Sequence, residues 1–393
     1  MLASRFAAFV TTIPVLGEDG LLIEFTSVFK AYPDGTHAVD GLSLHVARGE
    51  IFVLIGPSGC GKTTTLRMIN RLIEPTSGRI LVNGSDVLEV DPIELRRSIG
   101  YAIQEVALFP HMTVAENISI VPGLQGWSAA RQRSRVLELL ELVGLKPDRY
   151  RAKYPHELSG GERQRIGVAR AMGADPPVML MDEPFGAIDP ITRTRLQDEF
   201  LSIQAKIQKT VVFVTHDINE ALKMGDHIAI MRRGKLVQCG TSREILSRPN
   251  CGFVEEFVGA DRLMKLLQIL RVSELMTRDL PTVVIDEKPQ AILPRPSVKG
   301  LNLVLVVDRL GRLKGFVPST ELLKNVARPL AHFLTPVRES VSSNASLAEA
   351  LLRLSVNGLD FLPVVDGDQR LQGVLTLVSV HEEIQKTTSR AVA

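Results

Sequence analysis

The stretch Gly56-Pro57-Ser58-Gly59-Cys60-Gly61-Lys62-Thr63-Thr64 constrains the fold more than any other part of the chain. An apolar run, Ile51 to Ile55, precedes it, and an apolar-periodic run, Leu66 to Leu72, follows. That order predicts strand, glycine loop, helix. The spacing G-x-x-x-x-G-K-T is that of a phosphate-binding loop. Glycines let backbone N–H groups turn inward around an anion, and the following helix points its positive end at the same place. In this reading Gly56, Pro57, Ser58, Gly59, Cys60, Gly61 and Thr64 belong to the cradle. Lys62 reaches the β- and γ-phosphates of a nucleotide, and the Thr63 hydroxyl ligates Mg²⁺. Chance glycine turns are common, but a Lys-Thr pair between strand and helix is not.

Bulk composition narrows the setting. The 393 residues are enough for two or three domains. With 45% hydrophobic and 23% charged residues, the chain reads as ordinary globular protein. A net charge of +2 gives no reason to expect nucleic acid as a main partner. The three cysteines, Cys60, Cys239 and Cys251, lack metal-ligand spacing and point to a reducing compartment. Cys60 lies inside the glycine loop, so a thiol reagent there should block nucleotide binding. The sequence has no run of about eighteen uncharged apolar residues to span a bilayer. Met1 to Leu16 superficially resembles a signal peptide, but it is short and Ile13-Pro14-Val15 interrupts it. The favoured reading of residues 1–20 is a disordered or loosely docked extension, or a start codon placed too early.

Further along, apolar runs end in polar groups. Leu22 to Phe29 reads as a strand, followed by the turn Lys30 to Gly35 and a second strand through Val46. Tyr32, beside that turn, either stacks on a base or fills a small surface cluster. Ile99 to Ile103 is a strand ending at Gln104, and a helical region runs from Thr113 to Gly173. Within it, Ser159-Gly160-Gly161-Glu162 leads into a helix whose first turn offers a second anion site. Val178 to Met181 is a buried strand ending in Asp182 and Glu183. An Asp there can hold Mg²⁺ and an adjacent Glu can polarise a water for attack on a γ-phosphate. Val211 to Val214 repeats the design before Thr215 and His216, where His216 either contacts the γ-phosphate or caps the strand. Alternating strands and helices argue an α/β fold with a parallel-rich sheet, in which ligands sit beyond the carboxyl ends of strands.

This set resembles the ATPase subunit of an ABC transporter, a P-loop NTPase with a helical subdomain, over residues 21–260. The resemblance implies ATP and Mg²⁺ as cofactors and assigns roles by position. Tyr32 is the adenine-stacking aromatic, and Gly56 to Thr64 the Walker A loop. Gln104 senses Mg²⁺ and the membrane domains. Leu158 to Gln164 is the signature motif, with Glu162 where the commonest form has Gln. Thr63, Gln104 and Asp182 hold the metal. Glu183, His216 and Lys62 are catalytic, and Asp189 in Ala187-Ile188-Asp189 is a dimer contact. A head-to-tail dimer is implied, with each ATP between Walker A of one copy and Ser159, Gly160, Gly161 and Glu162 of the other. Integral-membrane permease subunits and, indirectly, a solute-binding protein would be partners. The place implied is the cytoplasmic face of the cell membrane, peripherally. Met68 to Gly78, Leu108 to Thr113 and Asp189 to Arg193 narrow the resemblance to importers of glycine betaine, choline or carnitine. Other importer classes and a non-transport soluble ATPase stay open as alternatives. The latter usually carry two ATPase units or a coiled-coil insert, and neither is visible.

After Gly259 the pattern changes. Residues 261–272 read as a linker helix, and a weak repeat follows. Leu303 to Asp308 with Leu313 to Val317 matches Phe361 to Asp366 with Leu371 to Leu375, each unit reading strand, turn, strand. This resembles a tandem CBS pair, a smaller α+β domain, with a degenerate first unit at 273–328 and a second at 329–393. Pro289, Pro294 and Pro296 fall where the first unit's helix should run. The Ser/Thr-x-x-Asp ribose-binding ending is absent, which weighs against nucleotide sensing, and nucleotide sensing, ionic-strength sensing and plain dimerisation stay open as alternatives.

Overall fold

A computed structural model of the protein describes residues 20–102, 108–186, 188–278, 282–287, 303–324 and 329–389. Every residue of the apolar run Ile51–Ile55 is buried there in strand β3. Five strands share its sheet: β6 (Ile99–Ala102), β7 (Val178–Asp182), β8 (Thr210–Thr215), β9 (His227–Arg232) and β10 (Lys235–Gly240), in the order β10-β9-β3-β8-β7-β6. Strands β3, β6, β7, β8 and β9 run parallel to their neighbours, and β10 closes the edge antiparallel to β9. Continuous apolar runs fit this placement, because a parallel sheet is covered on both faces. Ile55 pairs with Thr215, and Asp182 with Val214, so three adjacent strands end at one level.

A second sheet is antiparallel, with β1 (Leu21–Ala31), β2 (His37–Ala47), β4 (Ser77–Val82) and β5 (Ser85–Asp86) in the order β2-β1-β4-β5. Asn83 and Gly84 join β4 to β5 with φ of 51° and 78°, the two left-handed residues that a tight hairpin turn requires. Helix α1 (Lys62–Ile69) touches strands of both sheets, and Phe25, Phe52, Leu66, Met68, Leu180 and Val214 share one core. The apolar-periodic run to Leu72 overshoots this helix. Arg71 turns left-handed at φ 50°, and its Nη1 donates to the Leu88 and Val90 carbonyls at 3.2 and 3.1 Å, leaving Leu72 exposed.

Helix α2 (Pro92–Ser98) precedes β6, and the helical region forms as α3 (Val114–Leu124), α4 (Ala129–Leu142), α5 (Pro147–Tyr150) and α6 (Gly160–Ala171). Helices α7 (Pro190–Ile207) and α8 (Ile218–Met224) follow β7 and β8. Beyond β10 come α9 (Ser242–Ser247), α10 (Gly252–Val258), α11 (Arg262–Ile269) and α12 (Val272–Leu275). The chain divides into two compact units: the part up to Ile245 with Asn250–Phe257, and Leu246–Pro249 with Val258 onward.

The second unit is a duplication. Strands β11 (Thr282–Val284), β12 (Leu303–Val307) and β13 (Leu313–Pro318) precede α13 (Ser319–Lys324). Strand β14 (Val341–Ser342), α14 (Leu347–Val356), β15 (Phe361–Val365), β16 (Leu371–Thr376) and α15 (Leu377–Ser389) repeat the pattern. In each sheet the first pair is parallel and the second antiparallel, with a register break at Val306/Val307 and again at Val364/Val365. Ser346 caps α14 by accepting from the Glu349 N–H at 3.2 Å. The three prolines of the first unit lie outside the described residues.

The halves bind by exchange. Phe316 and Thr335 trade two backbone hydrogen bonds of 2.9 Å, and Thr277 and Val374 trade two of 2.9 and 3.0 Å. Each exchange needs a glycine beside it. A Cβ on Gly315 would sit 2.4 Å from the Thr335 carbonyl oxygen, and one on Gly373 would sit 2.9 Å from that of Thr277. Overpacking of this kind costs about 1–3 kcal/mol. Gly315→Ala is therefore expected to lower the unfolding temperature of this unit in calorimetry. Gly367→Ala, with nothing within 4 Å of its added Cβ, is expected to leave it unchanged.

Candidate active site

The loop that leaves β3 has no room for side chains at its ends. A Cβ on Gly56 would lie 2.2 Å from the Met231 carbonyl oxygen. One on Gly61, whose φ is 108°, would lie 2.2 Å from that of Ala38. Lys62 is buried, and its Nζ donates to the Gly56 and Pro57 carbonyls at 2.7 and 3.1 Å. Thr63 Oγ1 donates to Asp182 Oδ1 at 3.2 Å across the gap between α1 and β7. Burial pushes the Asp182 carboxyl up, and the Thr63 hydrogen bond and the charges of Arg67 and Lys62 oppose that. A buried carboxylate beside a hydroxyl is a pair of hard oxygen donors, the kind that Mg²⁺ takes.

Glu183 follows directly with φ 45°, left-handed although it is not glycine. Such a residue costs of order 1–3 kcal/mol and persists where its surroundings hold it. Its N–H donates to the Val214 carbonyl at 2.9 Å, and its Oε1 lies 3.1 Å from His216 Nδ1. Lys62, Thr63, Asp182, Glu183 and His216 thus gather at the ends of β3, β7 and β8. Tyr32 sits at the tip of the β1–β2 hairpin with the Lys30 ammonium 5.3 Å over its ring. Gln104 and Ala187 lie outside the described residues.

The Ser-Gly-Gly turn forms a separate feature. Ser159 is the N-cap of α6, and a reciprocal capping box joins it to Glu162. The Glu162 N–H donates to Ser159 Oγ at 3.3 Å, and the Ser159 N–H donates to Glu162 Oε2 at 2.8 Å. The Tyr150 hydroxyl donates to Glu162 Oε1 at 2.6 Å. Those hydrogen bonds, Tyr150 first, bring the Glu162 carboxyl down to about 2. A cleft of ≈ 590 Å³ is lined by Tyr150, Ser159, Gly160, Gly161, Glu162 and Asp189, and by no residue of the glycine loop. Asp189 is itself a helix cap, accepting from the Thr192 N–H at 3.0 Å, which lowers its carboxyl.

Residues 39–186 match the family model described as "ABC transporter", and residues 333–386 match the one described as "CBS domain". The glycine betaine/carnitine/choline transport ATP-binding protein OpuCA of Bacillus subtilis is 46% identical over 364 residues, covering 91% of this chain and 95% of that protein. This chain belongs to the ATP-binding proteins of ABC transporters. The osmoprotectant import ATP-binding protein OsmV of Salmonella typhimurium is 45% identical, covering 86% of this chain and 89% of that protein. Among solved structures, the ATP-binding cassette MJ0796, a dimer in a post-hydrolysis state bound to ADP and Pi, aligns with a TM-score of 0.51. It shares 32% identity and covers 56% of this chain and 99% of its own.

Two residues of this ABC protein, Glu220 and Tyr150, do not stand out in the sequence, and the partner of a third, Gln164 of the signature motif, does not either. Gln164 of α6 donates from Nε2 to the Pro184 carbonyl, tying the signature helix to the residue after Glu183. Buried Glu220 accepts from Thr215 Oγ1 and from Gln197 Nε2, bracing the turn that carries His216. Tyr150 reaches Glu162 from α5. No spacing announces these three contacts. Each is a polar residue whose partner is set by tertiary packing.

The loop thiol also behaves differently from its position in the motif. Cys60 is 3% exposed, and burial pushes its thiol up, whereas Cys251 is exposed. Burial pushes Cys239 up to about 12. Titration with a thiol-reactive chromophore is expected to show one fast phase, from Cys251. Loss of nucleotide binding should track a slow phase that bound ATP slows further. Loss of binding in the fast phase would contradict this ordering.

Proposed function

We propose that this protein hydrolyses ATP to energise import of a quaternary-amine osmoprotectant, of the glycine betaine, choline or carnitine kind, through a separate membrane permease. The observation that carries the catalytic part is the meeting of Thr63 with Asp182 and of Glu183 with His216 at neighbouring strand ends. The substrate class rests on the relatives, whose names specify glycine betaine, carnitine, choline and osmoprotectant transport. No helix among the described residues is long and apolar enough to cross a membrane, which suits a peripheral subunit on the cytoplasmic face.

Each residue has a part in the chemistry. Lys62 places a positive charge against the phosphates, and the loop's backbone N–H groups orient them. Thr63 and Asp182, with Gln104, would hold Mg²⁺, which supplies charge neutralisation at the phosphate oxygens when bound. Glu183 orients a water and takes its proton, and His216 fixes the Glu183 carboxylate through the 3.1 Å contact. Tyr32 offers a face to the adenine. Ser159, Gly160 and Gly161 would receive the γ-phosphate of a nucleotide held by a second copy, with Asp189 at the contact. The dimeric cassette MJ0796 supports the pairing of two copies. A solute-binding protein would deliver cargo to the permease.

The CBS-like unit is read as regulatory or dimer-forming without adenosine binding. Thr376 and Ser379, where a ribose-binding ending would stand, are buried and hydrogen-bond each other at 2.7 Å.

Glu183→Gln tests the whole reading. ATPase turnover is expected to fall by a factor of about 10²–10⁴, the range for loss of a general base, while ATP binding persists. Uptake of labelled glycine betaine, choline or carnitine into cells carrying the permease should fall with it. Unchanged turnover would remove Glu183 from the mechanism. Lost turnover with none of the three solutes carried by the intact system would leave the ATPase and overturn the substrate class.

A further inference from the structure

The signature turn carries an electrostatic conflict. Glu162 occupies the third position of α6, where a carboxylate is favoured by the positive end of the helix. The same helix end is where the preceding reading places a phosphate from a second copy. Two anions then compete for one set of donors. A glutamine at this position would bring no such charge.

The surroundings of Glu162 resolve it. Both carboxylate oxygens are engaged on the side of the capping box: Oε2 by the Ser159 N–H at 2.8 Å and Oε1 by the Tyr150 hydroxyl at 2.6 Å. The box uses the N–H groups of Ser159 and Glu162, and neither Gly160 nor Gly161 takes part in it. Tyr150 is 8% exposed, so its ring is fixed by packing and its hydroxyl has a defined direction. The Lys153 ammonium lies 4.8 Å and the Arg149 guanidinium 5.5 Å from the same ring, and the Lys153 charge favours the ionised Glu162 carboxylate. The hydroxyl–carboxylate bond has the short length of a charge-assisted pair. If the hydroxyl is removed, Oε1 loses its donor, and the donors left in the turn are the glycine N–H groups.

We propose that Tyr150 is a positioning residue for ATP hydrolysis, holding the Glu162 carboxylate in the capping box so that the Gly160 and Gly161 N–H groups face the γ-phosphate of the partner copy's nucleotide. This rests on the dimer reading above. It assigns Tyr150 no contact with nucleotide. It makes the tyrosine the condition under which a glutamate works at this position of the turn.

The test uses the full chain and five proteins: the unaltered chain, Tyr150→Phe, Glu162→Gln, the double variant, and Ser159→Arg. ATPase kcat, KM and binding of a fluorescent ATP analogue are measured, with unfolding temperature to confirm folding. Tyr150→Phe keeps the ring and is expected to lower kcat about tenfold, the scale of one charge-assisted hydrogen bond. Analogue binding, which the glycine loop governs, should stay within about twofold. In the Glu162→Gln background the same change is expected to cost nothing further, because the amide brings no charge to the turn. Unaltered kcat in Tyr150→Phe, or an equal loss in both backgrounds, would overturn the assignment, the second outcome marking a merely structural tyrosine. Ser159→Arg separates the two readings. Its ATPase is expected to vanish, and survival would remove the dimer reading and the proposal with it. Loss in Ser159→Arg with no effect of Tyr150→Phe would remove the Tyr150 role alone.

Discussion

Backbone pairing between β3, β8 and β7 is the constraint on which the rest of the first unit depends. Ile55 opposite Thr215 and Asp182 opposite Val214 set the level at which three buried strands end. Each of these strands is buried at every position, so none of them can present a polar group from its interior. Polar chemistry is possible only where the strands stop. The glycine loop, Glu183 and His216 are the first residues past those ends, and Asp182 is the last residue of β7. A register slip of one residue would move every side chain of a strand to the other face of the sheet. It would also separate Thr63 from Asp182. The contact between them, 3.2 Å, therefore reports the sheet register as much as it reports a metal site.

The second consequence is local strain held by a network. Glu183 is left-handed at φ 45°, and the hydrogen bonds around it leave little choice. Its N–H is fixed on Val214, its carbonyl accepts from the Gly186 N–H at 3.1 Å, and the next carbonyl, Pro184, accepts from Gln164. Gln164 stands one turn into α6, whose N-terminus is the Ser-Gly-Gly turn. One helix thus joins the strained carboxylate to the turn proposed to meet a second nucleotide. Motion of that turn would reach Pro184, the residue after Glu183, through a single buried amide. Under the dimer reading proposed above, this would be a short physical route from the turn to the Glu183 carboxylate.

How much of this was legible depended on whether the determinant was local. Strand β3 matches its apolar run residue for residue, because burial on both faces leaves no other pattern. The Asn83-Gly84 turn and the Ser346 cap are local in the same sense, because a particular residue type answers a particular backbone need at each. The first helix was read too long, since Leu72 keeps the apolar period while Arg71 ends the helix through distant carbonyls. The motif places Cys60 in the loop, but its burial comes from a core it shares with Met231 and residues of both sheets, which no spacing encodes. Tyr150 and Glu220 escaped notice for the same reason. Their partners are defined by the packing of α5 on α6 and of α7 on α8.

The duplicated unit shows the same logic at a larger scale. Neither half closes its own sheet, because the segment around Thr335 pairs with β13 of the first half and that around Thr277 with β16 of the second. Leu305 and Val374 bury together, with Phe316 and Phe361 edge to face at 5.3 Å between the halves. A half of this size has little core of its own and gains stability by covering its neighbour's edge. That explains why the first half keeps its strand pattern while its intervening sequence, with Pro289, Pro294 and Pro296, departs from the second. The strands are needed to complete the other half. The sequence between them is answerable to a ligand only if there is one.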